Sequence, residues 1–426
     1  MASDRTGGLA PLRIRDFRLL LGGFAIGQML MPLQFITQIL WVQENAPDDI
    51  WLILVALIGA SRGVGTLTFG LYGGALADRF DRRALLLVTQ SLLLLTTLAI
   101  AALMFFSIGS AAFFAAFFAL TFLAGGLQSI DAPTRLAIIP DILGLELTPA
   151  GMSLNQAAGQ LAMPVALFGT GFLIHSLGFS GAYLLSAVGH LIAIVFIGML
   201  SYRTVFGDRG HGHARYSLGE VFGDVRDGLR YARNHPVILW IIVLVATMMG
   251  LGFPATANLG PTWVTTVVGV EIKNVGLVVM TWGIGALVAA VALARFSAIE
   301  RRGALIGLGT VLFSVSFLVF VSDHTVLNVV IGNLGLGAGM TITMVSSTIL
   351  IQQLVPNEVR GRIMSIFQLN MGFAQLMTMP VAVLAQWLTL PVLFPIMAVT
   401  TLASVLLILI LRPQIMRART PRLQQS

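Results

Sequence analysis

Twelve runs of about twenty or more mainly apolar residues, separated by short polar segments, decide what this chain can fold into. They lie near 17–42, 51–77, 84–108, 111–130, 150–176 and 180–202, then 237–263, 274–295, 303–322, 325–353, 363–388 and 391–411. About 20 such residues in a helix cross the hydrocarbon of a bilayer. Hydrocarbon offers no partner to backbone N–H and C=O groups, so each run is expected to be a helix. The expected fold class is therefore an all-α membrane protein of twelve spans. Only 10% of the residues are charged, against about 25% in soluble domains, which leaves too few polar residues to cover a water-soluble surface.

The arginines orient the spans. With the termini and the even-numbered loops on one side, that side collects all of the 25 Lys and Arg residues except Lys273 and Arg62. The positive-inside rule then places both termini in the cytoplasm of a multi-pass protein in the cell (inner) membrane. The net charge of +7 follows the loops, so it speaks for a bilayer partner and against nucleic acid. The polar start, Met1 to Asp16, leads into an apolar run of about 25 residues, too long for a signal-peptide core; it is expected to be retained as the first span.

Outer loops such as Gln43–Asp49 and Ser322–His324 are too short to fold as a receptor or catalytic domain. The longest polar stretch, Tyr202–His235, contains an amphipathic pattern: Leu218, Val221, Phe222, Val225, Leu229 and Ala232 share one face. Ser217 and Glu220 have capping-box spacing at its start, and Pro236 marks its end. The expected organisation is an N-terminal six-helix bundle over 1–202, a cytoplasmic linker over 203–236, a C-terminal bundle over 237–412, and a tail over 413–426. Weak internal echoes support the duplication. Asp81-Arg82-Arg83 after span two has Glu300-Arg301-Arg302 after span eight, and Trp41 in span one has Trp263 in span seven. Paired six-helix halves occur in secondary transporters, with the solute near the midplane.

The segment Gly74-Ala75-Leu76-Ala77-Asp78-Arg79-Phe80-Asp81-Arg82-Arg83 resembles the signature loop between spans two and three of the major facilitator superfamily. Asp81 stands where many members have glycine, and in this it resembles a subgroup containing the enterobactin exporter and the third class of drug:proton antiporters. Asp131-Ala132-Pro133-Thr134-Arg135 with Ile139-Pro140, and Val355-Pro356-Asn357-Glu358-Val359-Arg360-Gly361-Arg362, are similar to the same subgroup. The resemblance implies a major facilitator fold and proton-coupled efflux of a small amphipathic molecule such as a drug or siderophore. It also implies a conformational latch built from Gly74, Asp78, Arg79, Arg82, Arg83 and Asp131, closing span two on span eleven, with Asp131 paired to Arg82. Span five departs from the antiporter pattern, carrying Met163-Pro164 in place of a Gly-Pro pair.

Among the candidate functional residues, Arg62 stands out as a charge deep within span two. Intramembrane charges are costly and by default functional. Its alternatives are a ligand to an anionic solute or a structural bond to neighbouring carbonyls. The further solute-binding candidates are Gln28, Gln34 and Gln38 in span one, Asn258 in span seven, Asn333 in span ten, and Asn370 and Gln375 in span eleven. Amides in lipid also serve as interhelical glue. Spans one, four, seven and ten, taken at the limits above, hold no acidic residue, so the proton-coupling candidates are Asp78, Asp131 and the mid-span His190. Gly59 and Gly63, Gly70 and Gly74, and Gly335 and Gly339 have the spacing of close helix crossings.

No P-loop, HExxH or serine nucleophile elbow occurs, and cysteine is absent. Neither an enzyme nor a metal site is expected, and the proton gradient takes the place of a cofactor. The expected functional form is a monomeric secondary carrier of a small molecule. A lysophospholipid or nutrient transporter of the same fold, or a non-transporting membrane sensor or scaffold, stands as the alternative.

Overall fold

The computed structural model describes residues 9–106, 110–201, 226, 228–295 and 299–419, with the side chains of 71–79, 145, 357, 358 and 365 excepted. Most of the linker, and with it most of the expected amphipathic helix from Ser217 onward, lies outside the described residues. So do the side chains of Asp78 and Arg79 in the signature loop.

After a short 3-10 turn (Ala10–Arg13), α1 spans Arg15–Asn45, α2 Trp51–Arg79 and α3 Arg82–Phe106. Helical hydrogen bonding then runs almost unbroken from Ala111 to Gly198 and leaves helical geometry at Gly144 (φ 71°, ψ 169°) and Gly178 (φ 70°, ψ 174°). Those two residues divide it into α4 (Ala111–Gly144), α5 (146–177) and α6 (179–198). Only glycine adopts that backbone conformation without a Cβ clash. Helix α7 begins as Pro236–Phe253, passes through a π turn at Pro254–Asn258 and resumes as Gly260–Thr266. Then follow α8 (Ile272–Arg295), α9 (Arg302–Val321) and α10 (Val326–Leu354). Helix α11 spans Asn357–Leu376 and resumes as Thr378–Leu388, α12 covers Leu390–Leu411, and α13 is the short Gln414–Arg417. Among the described residues, 11 helical stretches are long and apolar enough to cross a bilayer. One of them, Glu146–Gly198, is split at Gly178 into two sufficient lengths, which completes the twelve.

Local chemistry sets the helix starts. Asp81 Oδ1 accepts from the Ala84 amide at 2.7 Å and so caps α3; a carboxylate there also suits the positive end of the helix dipole. This gives a local role to the aspartate that departs from the common glycine. Ser110 caps α4 by accepting from the Phe113 amide at 3.3 Å, and Thr325 caps α10 by accepting from Asn328 at 3.3 Å.

One expected boundary is corrected. Span four does not stop near residue 130: α4 continues through Pro133 and Pro140 to Gly144. Proline removes a single N–H donor, and here neighbouring turns hold, with Thr134 Oγ1 bonding the Ile130 carbonyl at 2.7 Å. Asp131 and Arg135 therefore lie inside a helix and not in a loop.

The chain forms two compact units, one of Met1–Trp51 with Ser61–Arg215, the other of Leu52–Ala60 with Tyr216–Ser426. In the first, Phe17, Leu20, Leu86, Ile138, Ile139 and Ile197 form an apolar cluster at one end of α1, α3, α4 and α6. Trp41 caps the other end, stacked on Phe117 at 5.3 Å and flanked by Phe113. In the second unit Trp263 is fully buried and stacks on Phe394 at 5.1 Å. Each tryptophan noted in the sequence echo thus sits in an aromatic nest, built from different helices in the two units.

Close helix crossings depend on glycine, though only partly at the expected pairs. Gly335 and Gly339 abut Ser316 and Phe313 of α9. The tight α2–α4 crossing is made by Gly65, beneath the Phe122 carbonyl, and by Gly125, where an added Cβ would stand 2.7 Å from the Arg62 carbonyl oxygen. Gly70 has only ordinary contact room, 3.6 Å from Ser129.

Two outcomes follow for stability in detergent. Gly125→Val should overpack the α2–α4 crossing and cost about 1–3 kcal/mol, seen as a lower melting midpoint, whereas Gly198→Ala, with open space around it, should leave the midpoint unchanged. Gly178→Ala forces a Cβ into left-handed backbone and should cost a similar amount, about 1–3 kcal/mol.

Candidate functional site

Inside the first unit, side chains from α1, α3, α4 and α6 join in one hydrogen-bonded chain. Gln34 Nε2 donates to Thr97 Oγ1 at 3.1 Å and meets His190 Nε2 at 3.3 Å. His190 Nδ1 faces Gln90 Oε1 at 3.0 Å, and Gln90 Nε2 donates to Asp131 Oδ1 at 2.8 Å. Thr89 adds a longer bond to the same oxygen at 3.4 Å. Asp131 closes the chain as an ion pair with Arg135, one helical turn along α4, at 3.0 Å.

The direction of these bonds assigns the imidazole. The Gln34 amide nitrogen has only protons to offer, so His190 Nε2 accepts; Gln90 Oε1 has only lone pairs, so Nδ1 carries the proton. His190 is thus the neutral Nδ1–H form in this arrangement of the glutamine amides. Protonating it requires Gln34 to turn its oxygen toward the ring. Gln90 has the matching property, since its amide bridges the imidazole and the carboxylate.

A cavity of about 150 Å³ opens on this chain. Its polar wall is Gln28 of α1, Gln90 of α3, Gln128, Asp131 and Arg135 of α4, and His190 of α6; Phe24, Leu30, Met31 and Leu93 supply the apolar wall. Gln90 lies eight residues along α3 from Arg82, about 12 Å at 1.5 Å per residue, so the chain sits well inside the helical bundle. Among the described residues, no group of three or more His, Asp or Glu side chains is placed to hold a metal ion.

Arg62 lies beside this wall. It is 6% exposed, donates from Nη2 to Gln128 Oε1 at 3.2 Å, and stacks over Phe35 at 5.5 Å. Its Nη1 is buried without a hydrogen-bond partner. Gln38 makes its bonds elsewhere, to Tyr183 Oη at 2.8 Å and Thr121 Oγ1 at 3.5 Å. Gln34 and Gln38 therefore do share a face of α1, but both are tied into neighbouring helices, whereas Gln28 meets the cavity.

The expected pairing of Asp131 with Arg82 is corrected. Arg82 instead binds Asp141 Oδ2 at 2.7 Å and the Ala137 carbonyl at 2.9 Å. The reason is the longer α4: the helix carries Asp141 ten residues past Asp131 and places it beside the start of α3. Arg83 donates from Nε to the Ile197 carbonyl at 3.1 Å and from Nη2 to that of Gly198, satisfying the carbonyl end of α6. The statement that span four lacks an acid is corrected for the same reason, since Asp131 lies within α4. Arg62 is likewise joined by Asp131 and Arg135 as a charge inside a span.

The second unit separates its candidates. Asn258, in the π turn of α7, donates to Thr378 Oγ1 at 2.5 Å, and Asn333 donates to the Val278 carbonyl at 3.1 Å, so both join helices. Asn370 Nδ2 and Gln375 Oε1 on α11 are buried without hydrogen-bond partners. Several residues of the first unit's site escaped the sequence reading, Gln90, Gln128, Arg135 and Tyr183 among them. The test that singled out Gln34, an uncharged amide in mid-span, would have found Gln90 and Gln128 as well. Arg135 was hidden by the boundary placed before Pro133.

Comparison with known proteins comes to the same fold. The family model described as Major Facilitator Superfamily matches residues 19–379. No curated protein matches the sequence. Solved structures do: a POT family transporter in complex with a thioalcohol-conjugated peptide (TM-score 0.74, 13% identity, 94% of this chain and 96% of that one) and the nucleoside transporter NupG (0.72, 12%, 92% and 99%). A D-xylose-proton symporter is similar at TM-score 0.65 and 14% identity, covering 94% of this chain and 97% of that one. At such identities the likeness speaks for the fold alone. With most of its length matched by the family model and twelve apolar helices in place, the chain belongs to the major facilitator superfamily.

Proposed function

We propose that this protein is a secondary active transporter that moves a small amphipathic molecule by alternating access, with proton movement coupled through Asp131 and His190. One observation carries the reading: a carboxylate and an imidazole, joined through Gln90, form part of the wall of a mostly apolar cavity. An acid inside a transporter helix is a default candidate for the titrating group. When Asp131 takes a proton it loses its ion pair with Arg135 and accepts less strongly from Gln90. The wall is then rearranged by a single titration, which is the kind of bias that shifts a two-state equilibrium.

The rest of the frame follows the same reading. Residues 1–202 and 237–412 act as the two moving halves, with the cytoplasmic membrane as the site and both termini inside. Gly74, Asp78, Arg79, Arg82 and Arg83 form the latch at the end of α2, for which Arg82–Asp141 supplies the brace inside the first unit. The export direction rests on the loop resemblance. The solved neighbours include a peptide-bound transporter and a sugar-proton symporter, which supports uptake as the second reading.

Reconstituted protein under an imposed pH gradient tests the coupling, with flux of lipophilic cations, siderophores and lysolipids followed beside an internal pH dye. Wild type should accumulate or expel its solute with proton movement. Asp131→Asn should reduce gradient-driven flux to that of empty liposomes while solute exchange persists. Full gradient-driven flux in that variant would end the proposed role of Asp131. Gln90→Leu, which breaks the bridge and leaves buried polar groups unpaired, should cost about 1–3 kcal/mol of stability and displace the pH midpoint of flux.

A further inference from the structure

The interior of the first unit holds more positive than negative charge. Among its described residues, the buried guanidinium groups are those of Arg62 and Arg135, 6% and 3% exposed. Asp131 is the carboxylate that faces Arg135, which engages both of its oxygens. Among the described residues, Arg62 faces Phe35 of α1, Gln128 of α4 and Tyr183 of α6, and no carboxylate. His190 is neutral in the bonding arrangement described above. One buried cation is therefore in surplus, and each of the two guanidinium groups leaves an Nη1 without a hydrogen-bond partner.

A surplus buried charge is expensive to hold. The expense makes sense where an outside anion completes the pair. Gln128 links the charge to the cavity, since its oxygen accepts from Arg62 while its side chain forms part of the wall. Arg135 lies in the same wall. Phe24, Leu30, Met31 and Leu93 make the rest of the lining apolar. A ligand that satisfies both sides carries an oxyanion on an apolar body. We infer that the cavity binds an amphipathic anion, a carboxylate or a phosphate, between Arg62 and Arg135, and that a proton on Asp131 strengthens this binding.

The second half of the inference is a matter of sign. Ionised Asp131 neutralises Arg135 and repels an incoming anion; protonated Asp131 frees Arg135 and removes the repulsion. Asp131 faces Arg135 on its own helix, Thr89 and Gln90 on α3, and His190 on α6 through Gln90, with Gln28 of α1 on the same wall. None of these groups carries a second negative charge that would reverse the sign. At an effective dielectric near 20, removing a unit charge from the wall of so small a cavity is worth on the order of a factor of ten or more in affinity. Linkage is reciprocal, so the anion raises proton affinity by the same factor. Proton and solute then move together, as in a symporter, and do not compete, as in an antiporter, so the inference favours the uptake reading over export. This inference rests on the transporter reading and on Asp131 as its titrating group.

Octanesulfonate, which stays ionised between pH 5.5 and 8, is a suitable probe beside octanol and octyltrimethylammonium, each used below micelle formation. The melting midpoint of the full-length protein in detergent reports binding. Octanesulfonate should raise the midpoint and the other two should not, and its apparent affinity should rise about tenfold in Asp131→Asn, where the carboxylate charge is removed. Arg62→Gln should abolish the response without lowering the midpoint of the unliganded protein, and Arg62→Lys should retain part of it. Equal or better stabilisation by the cation, weaker anion binding in Asp131→Asn, or no shift with any probe would overturn the inference. So would a large loss of unliganded stability in Arg62→Gln, which would mark Arg62 as structural. Lysophosphatidylglycerol flip and free octyl phosphate uptake, run as separate proteoliposome arms, distinguish a lipid source of the oxyanion from a soluble one. Intact anion binding with no flux in either arm would leave the anion site standing and end the transporter reading.

Discussion

Hydrocarbon gives polar groups nothing to bond to, and that single constraint organises this molecule from its backbone to its cavity. It makes every crossing helical, and it presses the polar groups inside the first unit to find partners, on their own helix as Thr37 does at the Leu33 carbonyl or on another as Gln34 does at Thr97. The chain from Thr97 through Gln34, His190 and Gln90 to Asp131 is what results. It ties four helices together by polar contacts where apolar contacts between helices compete with equally apolar lipid. The same constraint makes the exceptions informative, among them the second guanidinium nitrogens of Arg62 and Arg135, unmatched in a place where mismatch is costly.

Rigid and adjustable features sit side by side in this arrangement. Glycines at 65 and 125 hold α2 and α4 in backbone contact beside Arg62, while the groups facing the cavity are amides and titratable side chains that turn or change charge without repacking. The glutamines are well suited to this. Each carries a donor and an acceptor on one planar group, so a half-turn reverses a bond and costs no volume. At the bundle's end, fixed contacts return: Arg82 to Asp141, Arg83 to the α6 carbonyls, and Asp81 to the first turn of α3. The three consecutive residues of the signature loop thus hold three different helix ends.

Much of the frame was legible from residue order. The apolar runs identified the helices and their number, and the loop around Asp78 pointed to the family. The errors share a cause. Pro133 and Pro140 look like the end of a span, yet a helix buried among neighbours tolerates a lost N–H when adjacent turns hold. Placing the boundary too early moved Asp131 and Arg135 into a loop, assigned Asp131 the wrong partner, and concealed an acid inside the bundle.

Sequence by itself thus determined the solvent, the helices and the kinds of chemistry available, because hydropathy over some twenty residues and the sign of loop charges are properties of consecutive residues. Partners were decided only by the tertiary structure. His190 and Gln90 are 100 positions apart, and Arg62 and Gln128 are 66 apart; no local pattern relates them. Whether a mid-span amide serves as glue or as part of a cavity wall depends on which helix stands opposite, as Gln38 and Gln28 show on one helix. The surplus charge, from which the anion reading follows, is a property of the assembled bundle, since it exists only once Asp131 has been claimed by Arg135 and Arg62 has not.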